Sequence, residues 1–367
     1  MHPQAEGEIK LPEAVRADAN EDRWIYPPTV DDVRDAEAAL NGIAVETPLL
    51  ENRAVNKKLS GRVLIKAEMA QRTGSFKFRG AYNRIRQLTK SQRDRGVVAY
   101  FSGNHAQAVA SAARMMGTSA LIVMPSDAPS NKMDRTRELG AEVVTYDRTK
   151  EKREEVAERI GGKRNLVMVP PNEDARVLAG AGTVALELIR QAKARQAVLD
   201  TVLVPCGGGG LTAATALVFE ALSPKTKIFA VEPEQFDDTR RSFEAGERLA
   251  NPKGRKTICD AIMTDIPGEL TFSINRERLS GVLTVSDDDV RSAMNVGFDR
   301  YKTVIEPGAA VGLAAVLQNK IDIGGNTVAV IATGGNVDAR NFCAAINADL
   351  KEPPCLETYF GEDSANR

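Results

Sequence analysis

Residues 73–81 read Thr-Gly-Ser-Phe-Lys-Phe-Arg-Gly-Ala and place one lysine, Lys77, between two phenylalanines. Aromatic neighbours partly desolvate a lysine and lower its pKa, because burial disfavours the ammonium form. Such an amine is a nucleophile near neutral pH and can form an imine with an aldehyde. The alternative is an ordinary lysine whose stem lies on an apolar surface and whose charged end stays in water. We expect a helix to follow at residues 81–88.

Length and composition indicate a globular protein of two domains. The 367 residues exceed what one hydrophobic core usually holds. A net charge of -1 and an aromatic content of 5% do not suggest nucleic acid or an anionic membrane as a partner. No apolar run reaches the roughly 18 residues that a membrane span needs.

The cysteines and the N-terminal residues both favour a cytoplasmic protein. Cys206, Cys259, Cys343 and Cys355 show no CxxC spacing, which favours reduced thiols over disulfides or a zinc site. Residues 1–21 are polar and acidic and do not resemble a signal peptide. We therefore expect a cytoplasmic location.

Short apolar runs alternate with helical patterns along the chain, which predicts an α/β protein with mostly parallel sheets. One block of strands is expected at residues 97–101, 121–124, 143–146 and 166–169. This block predicts a small, mobile domain at residues 97–171, inserted into a large domain made of residues 1–96 and 172–349. The polar residues 350–367 are expected to form a disordered tail.

A run of four glycines joins a predicted strand at residues 201–204 to a predicted helix at residues 211–222. The run consists of Gly207, Gly208, Gly209 and Gly210. Residues without side chains let backbone N–H groups approach an anion closely, and a helix N-terminus favours negative charge, so the run predicts a phosphate site. Two alternatives stay open: a dinucleotide site, although the GxGxxG spacing is absent, and a tight turn without a ligand.

Two further junctions between a strand and a helix carry polar side chains. Ser102, Asn104 and His105 lie at one of them, where a helix N-terminus could hold a substrate carboxylate. Thr333 follows the last predicted strand, at the strand end where open sheets meet their ligands. Helix capping is the alternative at both places.

Taken in order, these motifs resemble those of the fold type II pyridoxal phosphate enzymes. They are Ser-Phe-Lys at 75–77, Ser-Gly-Asn-His at 102–105, the glycines at 207–210 and Thr-Gly-Gly-Asn at 333–336. Within that family the chain resembles the threonine/serine dehydratase and serine racemase group. The resemblance implies a fold like that of the tryptophan synthase β subunit, with two open, mostly parallel sheets flanked by helices. It covers nearly everything from about residue 47 to residue 348.

The resemblance implies a role for each cofactor-binding motif. Lys77 would hold pyridoxal 5'-phosphate covalently and later move the α-proton of the substrate. Phe76 would lie against the cofactor ring, Asn104 would hydrogen-bond its 3-hydroxyl, and the four glycines would bind its phosphate. Thr333 would face the pyridine nitrogen, where this family usually has serine, so that the hydroxyl is retained.

The same resemblance implies the substrate contacts. Ser102, Asn104 and His105 would bind the substrate, and Ser102 would act as a second acid/base group on the ring face opposite Lys77. Arg153 matches an arginine that reaches the substrate carboxylate in racemases. The alternative for Arg153 is a solvated charge on a helix.

Residues 232–238 resemble a metal site of the same family. Glu232 and Asp238 would supply carboxylate oxygens and Phe236 a backbone carbonyl, a ligand set that suits Mg or Ca. Such a metal would be structural, since it would order a loop behind the glycines. The alternative is a solvated acidic loop.

The resemblance therefore implies an L-threonine/L-serine ammonia-lyase, which converts a small hydroxy amino acid to a 2-oxo acid and ammonia by β-elimination. Serine racemase or 3-hydroxyaspartate dehydratase is the alternative, because racemases and some hydroxyaspartate dehydratases carry serine at the position of Ser102. A homodimer is expected. A nicotinamide oxidoreductase and a non-catalytic ligand-binding module are the competing classes of function.

Overall fold

The computed structural model describes residues 26–100, 103–128 and 130–347. Ser102 and the predicted tail at 350–367 lie outside these residues. Within them, no helix combines the length and the apolar character that a membrane span requires.

The strands and helices alternate along most of the chain. The strands are β1 (Leu49–Glu51), β2 (Arg62–Ala67), β3 (Val97–Tyr100), β4 (Ala120–Pro125), β5 (Glu142–Tyr146), β6 (Val167–Met168), β7 (Thr201–Pro205), β8 (Lys227–Pro233), β9 (Gly281–Val285) and β10 (Thr327–Ala332). The helices are α1 (Val30–Leu40), α2 (Arg53–Leu59), α3 (Lys77–Arg86), α4 (Lys90–Arg95), α5 (Asn104–Met115), α6 (Ser130–Glu138), α7 (Arg153–Arg164), α8 (Ala175–Ala194), α9 (Gly210–Leu222), α10 (Asp238–Ala245), α11 (Glu269–Arg278), α12 (Asp287–Tyr301), α13 (Pro307–Leu317) and α14 (Ala339–Asn347). Short 3-10 turns lie at Glu68–Ala70, Arg72–Gly74 and Asp260–Ile262.

The strands form two sheets. The larger has six strands in the order β1-β2-β10-β7-β8-β9, and the smaller has four in the order β5-β4-β3-β6. Every pair is parallel except β1 with β2. The expected α/β fold with two open, mostly parallel sheets is therefore confirmed. The division into a large and a small mobile domain stays a prediction.

The central strands of the larger sheet are buried on both faces, which explains their near-continuous apolar sequences. Along β7, Val202 and Val204 pack into one apolar cluster, whereas Leu203 between them packs into the cluster on the opposite face. Helices α8, α9 and α11 cover the first face, and α12 and α13 cover the second.

Three adjacent strands of the larger sheet position the site. Strands β2, β10 and β7 are parallel neighbours, so their C-terminal ends meet at one edge. Strand β2 leads to residues 73–81, β10 ends immediately before Thr333, and β7 leads to the glycine run. Three motifs that lie far apart in the sequence are thereby brought to the edge where open sheets bind ligands.

Candidate active site

Lys77 is the first residue of α3, so this helix begins four residues earlier than expected. Its amine donates a hydrogen bond to the backbone oxygen of Pro171 at 2.9 Å and lies 5.1 Å from the centre of the Phe76 ring. Burial lowers the pKa of Lys77 to about 8. The predicted desolvated amine is therefore present, next to the predicted phenylalanine.

The glycine run is held by its carbonyl groups and leaves its N–H groups available. The oxygen of Gly208 accepts hydrogen bonds from Asn172 and Thr271, at 2.8 and 2.7 Å, and that of Gly209 accepts one from Asn275 at 3.2 Å. Within the described residues, none of the N–H groups at 207–210 donates to a backbone oxygen. Since α9 begins at Gly210, these groups lie at a helix N-terminus, which favours an anion.

Side chains would not fit in the glycine run. A Cβ atom added to Gly208 would lie 2.3 Å from the side-chain nitrogen of Asn172. One added to Gly209 would lie 2.7 Å from that of Asn275, and the φ angle of Gly209 is +81°. The run is thus a cradle of backbone atoms, as a phosphate site requires.

Asn104 begins α5 and is held on both sides of its amide. Its nitrogen donates to Glu306 at 2.6 Å, and its oxygen accepts from the Asn336 side chain at 2.8 Å. Glu306 is 3% exposed. Burial, together with the charge of Asp260, raises the pKa of Glu306 to about 7.

His105 is buried and neutral. Its Nε2 atom lies 2.8 Å from the backbone oxygen of Val169, and the ring nitrogen Nδ1 has no hydrogen-bond partner among the described residues. Burial, reinforced by the charge of Lys77, lowers the pKa of His105 to about 3. A neutral imidazole that donates from Nε2 keeps Nδ1 as an acceptor, so a donor on a ligand is the partner it could take.

Thr333 lies in the same cluster. Its backbone oxygen accepts a hydrogen bond from the N–H of Phe76 at 3.1 Å, and the next residue, Gly334, forms a bridge with Ser75. Thr333 is 5% exposed. The end of β10 is therefore fastened directly to the segment that carries Lys77.

Arg153 lies at the edge of the smaller sheet. It is the first residue of α7, its Nε atom is 2.7 Å from Glu154, and its guanidinium carbon is 5.9 Å from the centre of the Tyr100 ring. Tyr100 ends β3, the strand that leads toward Asn104. The predicted substrate role of Arg153 stays a prediction, as does that of Ser102.

The predicted metal ligands are close together, with Glu232 at the end of β8 and Asp238 at the start of α10. Glu232 accepts the backbone N–H groups of Thr239 and Arg240, at 3.0 and 2.9 Å, and both acids are at most 1% exposed. Burial raises the pKa values of Glu232 and Asp238, because it withdraws each carboxylate from water. In the described parts of the chain no group of three or more His, Cys, Asp or Glu residues forms a metal site, and the Phe236 carbonyl would have to complete the set.

Sequence reasoning missed a segment that contacts most of the site. Residues 169–174 supply the oxygens that accept from His105 and Lys77, and Asn172 donates to the glycine run. The next two acids cap helices: Glu173 accepts the N–H groups of Leu270 and Thr271, and Asp174 those of Arg176 and Val177. The only signal in the sequence is the Asn-Glu-Asp that follows two prolines, since backbone oxygens leave no mark on residue identity.

These features together suit a phosphorylated aldehyde. The amine of Lys77 can bond to the aldehyde carbon, the glycine run can hold the phosphate, and the Asn104 amide can donate to a ring oxygen. Pyridoxal phosphate carries all three groups on one ring.

The comparison with protein families finds a match over residues 40–334 to the family described as "Pyridoxal-phosphate dependent enzyme". The chain belongs to this family. The expected fold type II resemblance is thereby confirmed, and the described residues of this pyridoxal-phosphate-dependent enzyme fit the cofactor. When bound, pyridoxal phosphate supplies an electron sink that eases removal of the α-proton from an amino acid.

Relatives of this pyridoxal-phosphate-dependent enzyme carry three different activities in their names. An L-threo-3-hydroxyaspartate ammonia-lyase of Saccharomyces cerevisiae is 40% identical over 326 residues, which cover 89% of this chain and 98% of that protein. A serine racemase of Schizosaccharomyces pombe is 38% identical over 86% of this chain and 96% of its own. A solved structure of a T.th. threonine deaminase is 42% identical, with a TM-score of 0.81, and covers 85% of this chain and 99% of that one. The enzyme is thus of the ammonia-lyase and racemase type.

Proposed function

We propose that this enzyme is a hydroxy amino acid ammonia-lyase whose preferred substrate is 3-hydroxyaspartate. The overall reaction yields the corresponding 2-oxo acid and ammonia, because the water lost with the β-hydroxyl is returned when the product is hydrolysed. The observation that carries the reaction class is the partly buried Lys77 amine beside Phe76, whose lowered pKa of about 8 suits it first as a nucleophile and then as a base.

The residue at the end of β10 favours elimination over transamination. Thr333 would offer the pyridine nitrogen a neutral hydroxyl, which would not hold that nitrogen protonated as a carboxylate does. The electron sink would then be weaker, which would favour prompt loss of a β-hydroxyl over transamination.

Two cations near the smaller sheet support a dicarboxylic substrate. Arg153 lies over Tyr100, and the ammonium of Lys132 lies 2.8 Å from Asp260, where its charge partly offsets the rise in the pKa of Glu306. A second substrate carboxylate could bind to either cation and displace its present acidic neighbour. The hydroxyaspartate ammonia-lyase of Saccharomyces cerevisiae, similar over nearly its whole length, supports the same choice.

The expected L-threonine/L-serine ammonia-lyase is the second candidate. It is supported by the structure of the T.th. threonine deaminase, whose sequence is 42% identical. Racemisation of serine would accompany either activity if Ser102 acts on the ring face opposite Lys77.

A substrate panel tests the proposal. Release of 2-oxo acid is measured from L-threonine, L-serine, D-serine and both threo-3-hydroxyaspartate enantiomers, with Lys77→Ala as the blank, and chiral analysis follows D-serine formation. We expect the highest kcat/KM with L-threo-3-hydroxyaspartate. A higher kcat/KM with L-threonine would overturn the substrate assignment, and equal turnover by Lys77→Ala would overturn the reaction class.

The arginine is tested with a matched variant from its own helix. Arg153→Met is expected to lower kcat/KM for 3-hydroxyaspartate by roughly 10- to 100-fold, the effect of losing one charge-assisted hydrogen bond. Arg159→Met removes an exposed arginine of α7 that pairs with Glu151 and should leave kcat/KM unchanged. Equal losses in the two variants would show that Arg153 has no special role.

The metal and the oligomer are separate parts of the proposal. Glu232, Asp238 and the Phe236 carbonyl would hold Mg or Ca, which would neutralise two buried acids. Addition of EDTA should then lower thermal stability, and Mg2+ should restore it. A homodimer in the cytoplasm is expected, and sedimentation equilibrium would measure its mass.

A further inference from the structure

One chain of hydrogen bonds determines how the Asn104 amide is turned. The side-chain nitrogen of Asn336 donates to the backbone oxygen of Thr73 at 2.7 Å and to the side-chain oxygen of Asn104 at 2.8 Å. The nitrogen of Asn104 donates in turn to Glu306 at 2.6 Å. The chain thus runs from a backbone oxygen to a buried carboxylate through two amides.

The first acceptor in this chain has only one possible role. A backbone oxygen cannot donate, so the part of the Asn336 amide that faces Thr73 must be its NH2 group. Both hydrogens of that group are then used, one on Thr73 and one on Asn104. The atom of Asn104 that accepts the second hydrogen must be its side-chain oxygen. The NH2 group of Asn104 is therefore directed to the other side, where Glu306 takes one of its two hydrogens.

The surrounding backbone is shaped to allow this arrangement. Thr73 has a φ angle of +59°, which is an uncommon conformation for a β-branched residue. The backbone carbonyl of this same residue accepts the hydrogen bond from Asn336. Gly74 leaves room for the Asn336 amide, because a Cβ atom added to Gly74 would lie 2.6 Å from the side-chain oxygen of Asn336. Gly334 leaves room for the Glu306 carboxylate in the same way, since a Cβ atom added there would lie 2.5 Å from a carboxylate oxygen.

We propose that Asn336 is a positioning residue that fixes the Asn104 amide with its NH2 group available to the cofactor. One N–H of Asn104 goes to Glu306, and the second is left for the 3-hydroxyl oxygen of pyridoxal phosphate. With the amide reversed, Asn104 would present an oxygen to one of these acceptors instead of a donor. The proposal concerns the cofactor and does not depend on which amino acid is the substrate.

The test measures the absorbance of the lysine-bound cofactor against pH in the holoprotein. Asn336→Ser breaks the bridge to Asn104 without adding a charge. We expect the midpoint of the absorbance titration to rise by about one pH unit. A shift of this size corresponds to the free energy of one hydrogen bond that stabilises only one of the two protonation states. The direction follows because a ring oxygen that has lost its donor holds the shared proton more tightly.

A double-mutant cycle separates this role from a merely structural one. If Asn336 acts through Asn104, then Asn336→Ser added to Asn104→Ala should cause no further shift of the midpoint. An equal shift in both backgrounds, or no shift in the single variant, would overturn the proposal. Asn341→Ser replaces an exposed asparagine of α14 and should leave the midpoint unchanged.

A second variant covers a failure to fold. Should Asn336→Ser yield no folded protein, Asn336→Gln replaces it, because its amide lies on a side chain one methylene longer. The midpoint should then shift in Asn336→Gln alone and should not shift further when Asn336→Gln is added to Asn104→Ala. The dissociation constant of pyridoxal phosphate from each variant is a further readout. It should rise in Asn336→Ser and stay unchanged in Asn341→Ser, and the reverse pattern would contradict the role of Asn336.

Discussion

Lys77 owes its expected reactivity to the position of its amine at the start of α3. The amine contacts two uncharged groups, the backbone oxygen of Pro171 and the ring of Phe76, which stabilise its charged form less than a carboxylate would, while burial disfavours that form. The pKa of Lys77 is lowered to about 8 as a result. An amine of this kind is uncharged over part of the pH range in which ordinary lysines are ammonium ions.

Capture of the cofactor by the apoprotein should therefore depend on pH in a predictable direction. Below about pH 8 the Lys77 amine is mostly protonated and cannot attack an aldehyde, so the rate of covalent capture should rise as the pH passes upward through about 8. Stopped-flow absorbance after mixing with pyridoxal phosphate measures this rate. A midpoint near the ordinary lysine value would contradict the assignment, and Lys77→Ala serves as the blank.

Gly209 is the residue of the phosphate cradle whose replacement is most informative. Gly209→Ala would add a Cβ atom 2.7 Å from Asn275 at a φ angle of +81°. Gly246→Ala is a matched control, because Gly246 has a φ angle of +75° and nothing within 4 Å of an added Cβ atom. Both should lose about 1–2 kcal/mol of unfolding free energy from backbone strain. Only Gly209→Ala should also weaken cofactor binding, which equilibrium dialysis would measure.

At the scale of the elements, buried charges hold α3 against its neighbours. The guanidinium of Arg79 binds Glu68 and Glu187, with the shortest contact 2.6 Å, and Lys66 binds Glu187 at 2.7 Å. The four side chains carry two positive and two negative charges, and all are nearly inaccessible to water. Because Arg79 follows Lys77 by two residues, this network fixes the helix turn that carries the amine.

Removal of one member of this network should destabilise the protein strongly. Arg79→Met leaves two buried carboxylates facing one cation, and the expected loss is about 3–5 kcal/mol of unfolding free energy. Arg137→Met removes an exposed arginine that pairs with Asp134, and its effect should lie within about 0.5 kcal/mol. Urea unfolding of the holoprotein measures both. Similar losses in the two variants would mean that the buried network contributes little.

Helices with strong local signals were predictable from the sequence, and helices that depend on packing were not. Residues 29–40 predict a helix capped by Thr29 with acids in its first turn, and Thr29 does cap α1 with a capping box. The pattern at residues 183–194 predicts a helix that starts at about residue 183, whereas α8 begins at Ala175, because its glycines weaken the local signal. Close packing of α8 against α3 explains a glycine on each helix: a Cβ atom on Gly180 of α8 would lie 2.4 Å from the oxygen of Arg79, and one on Gly80 of α3 would lie 2.7 Å from that of Val177.

The same distinction separates the site residues. The glycine run and Lys77 carry their chemistry in residue identity, so their positions followed from the sequence. The oxygens of Val169 and Pro171 act through the backbone, and the partner of Asn104, Glu306, lies 202 residues away. Such contacts depend on how two sheets meet, which no local pattern encodes.

At the scale of the whole molecule, the larger sheet supplies Lys77 and the smaller sheet leads through β3 toward Ser102. By the resemblance, Lys77 and Ser102 would act on opposite faces of the cofactor. One sheet would then supply the base that all the candidate reactions need, and the other the group that racemisation adds.

Ser102→Ala should consequently separate the two reactions. Elimination needs only the lysine face, so turnover to the 2-oxo acid should be largely retained, whereas D-serine formation from L-serine should fall. Chiral chromatography and 2-oxo acid assays on one sample measure both. A variant that loses both activities equally would contradict the two-face assignment.

The chain crosses back from the smaller sheet to the larger one through residues 169–174. This short crossing positions three parts of the site through hydrogen bonds. The oxygens of Val169 and Pro171 accept from His105 and Lys77, and the Asn172 side chain donates to the glycine run. An insertion of a single residue here would put all three out of register in one step. The crossing should therefore tolerate a change of side chain at Val169, which acts through its backbone oxygen, better than at Asn172, and should tolerate hardly any change of length.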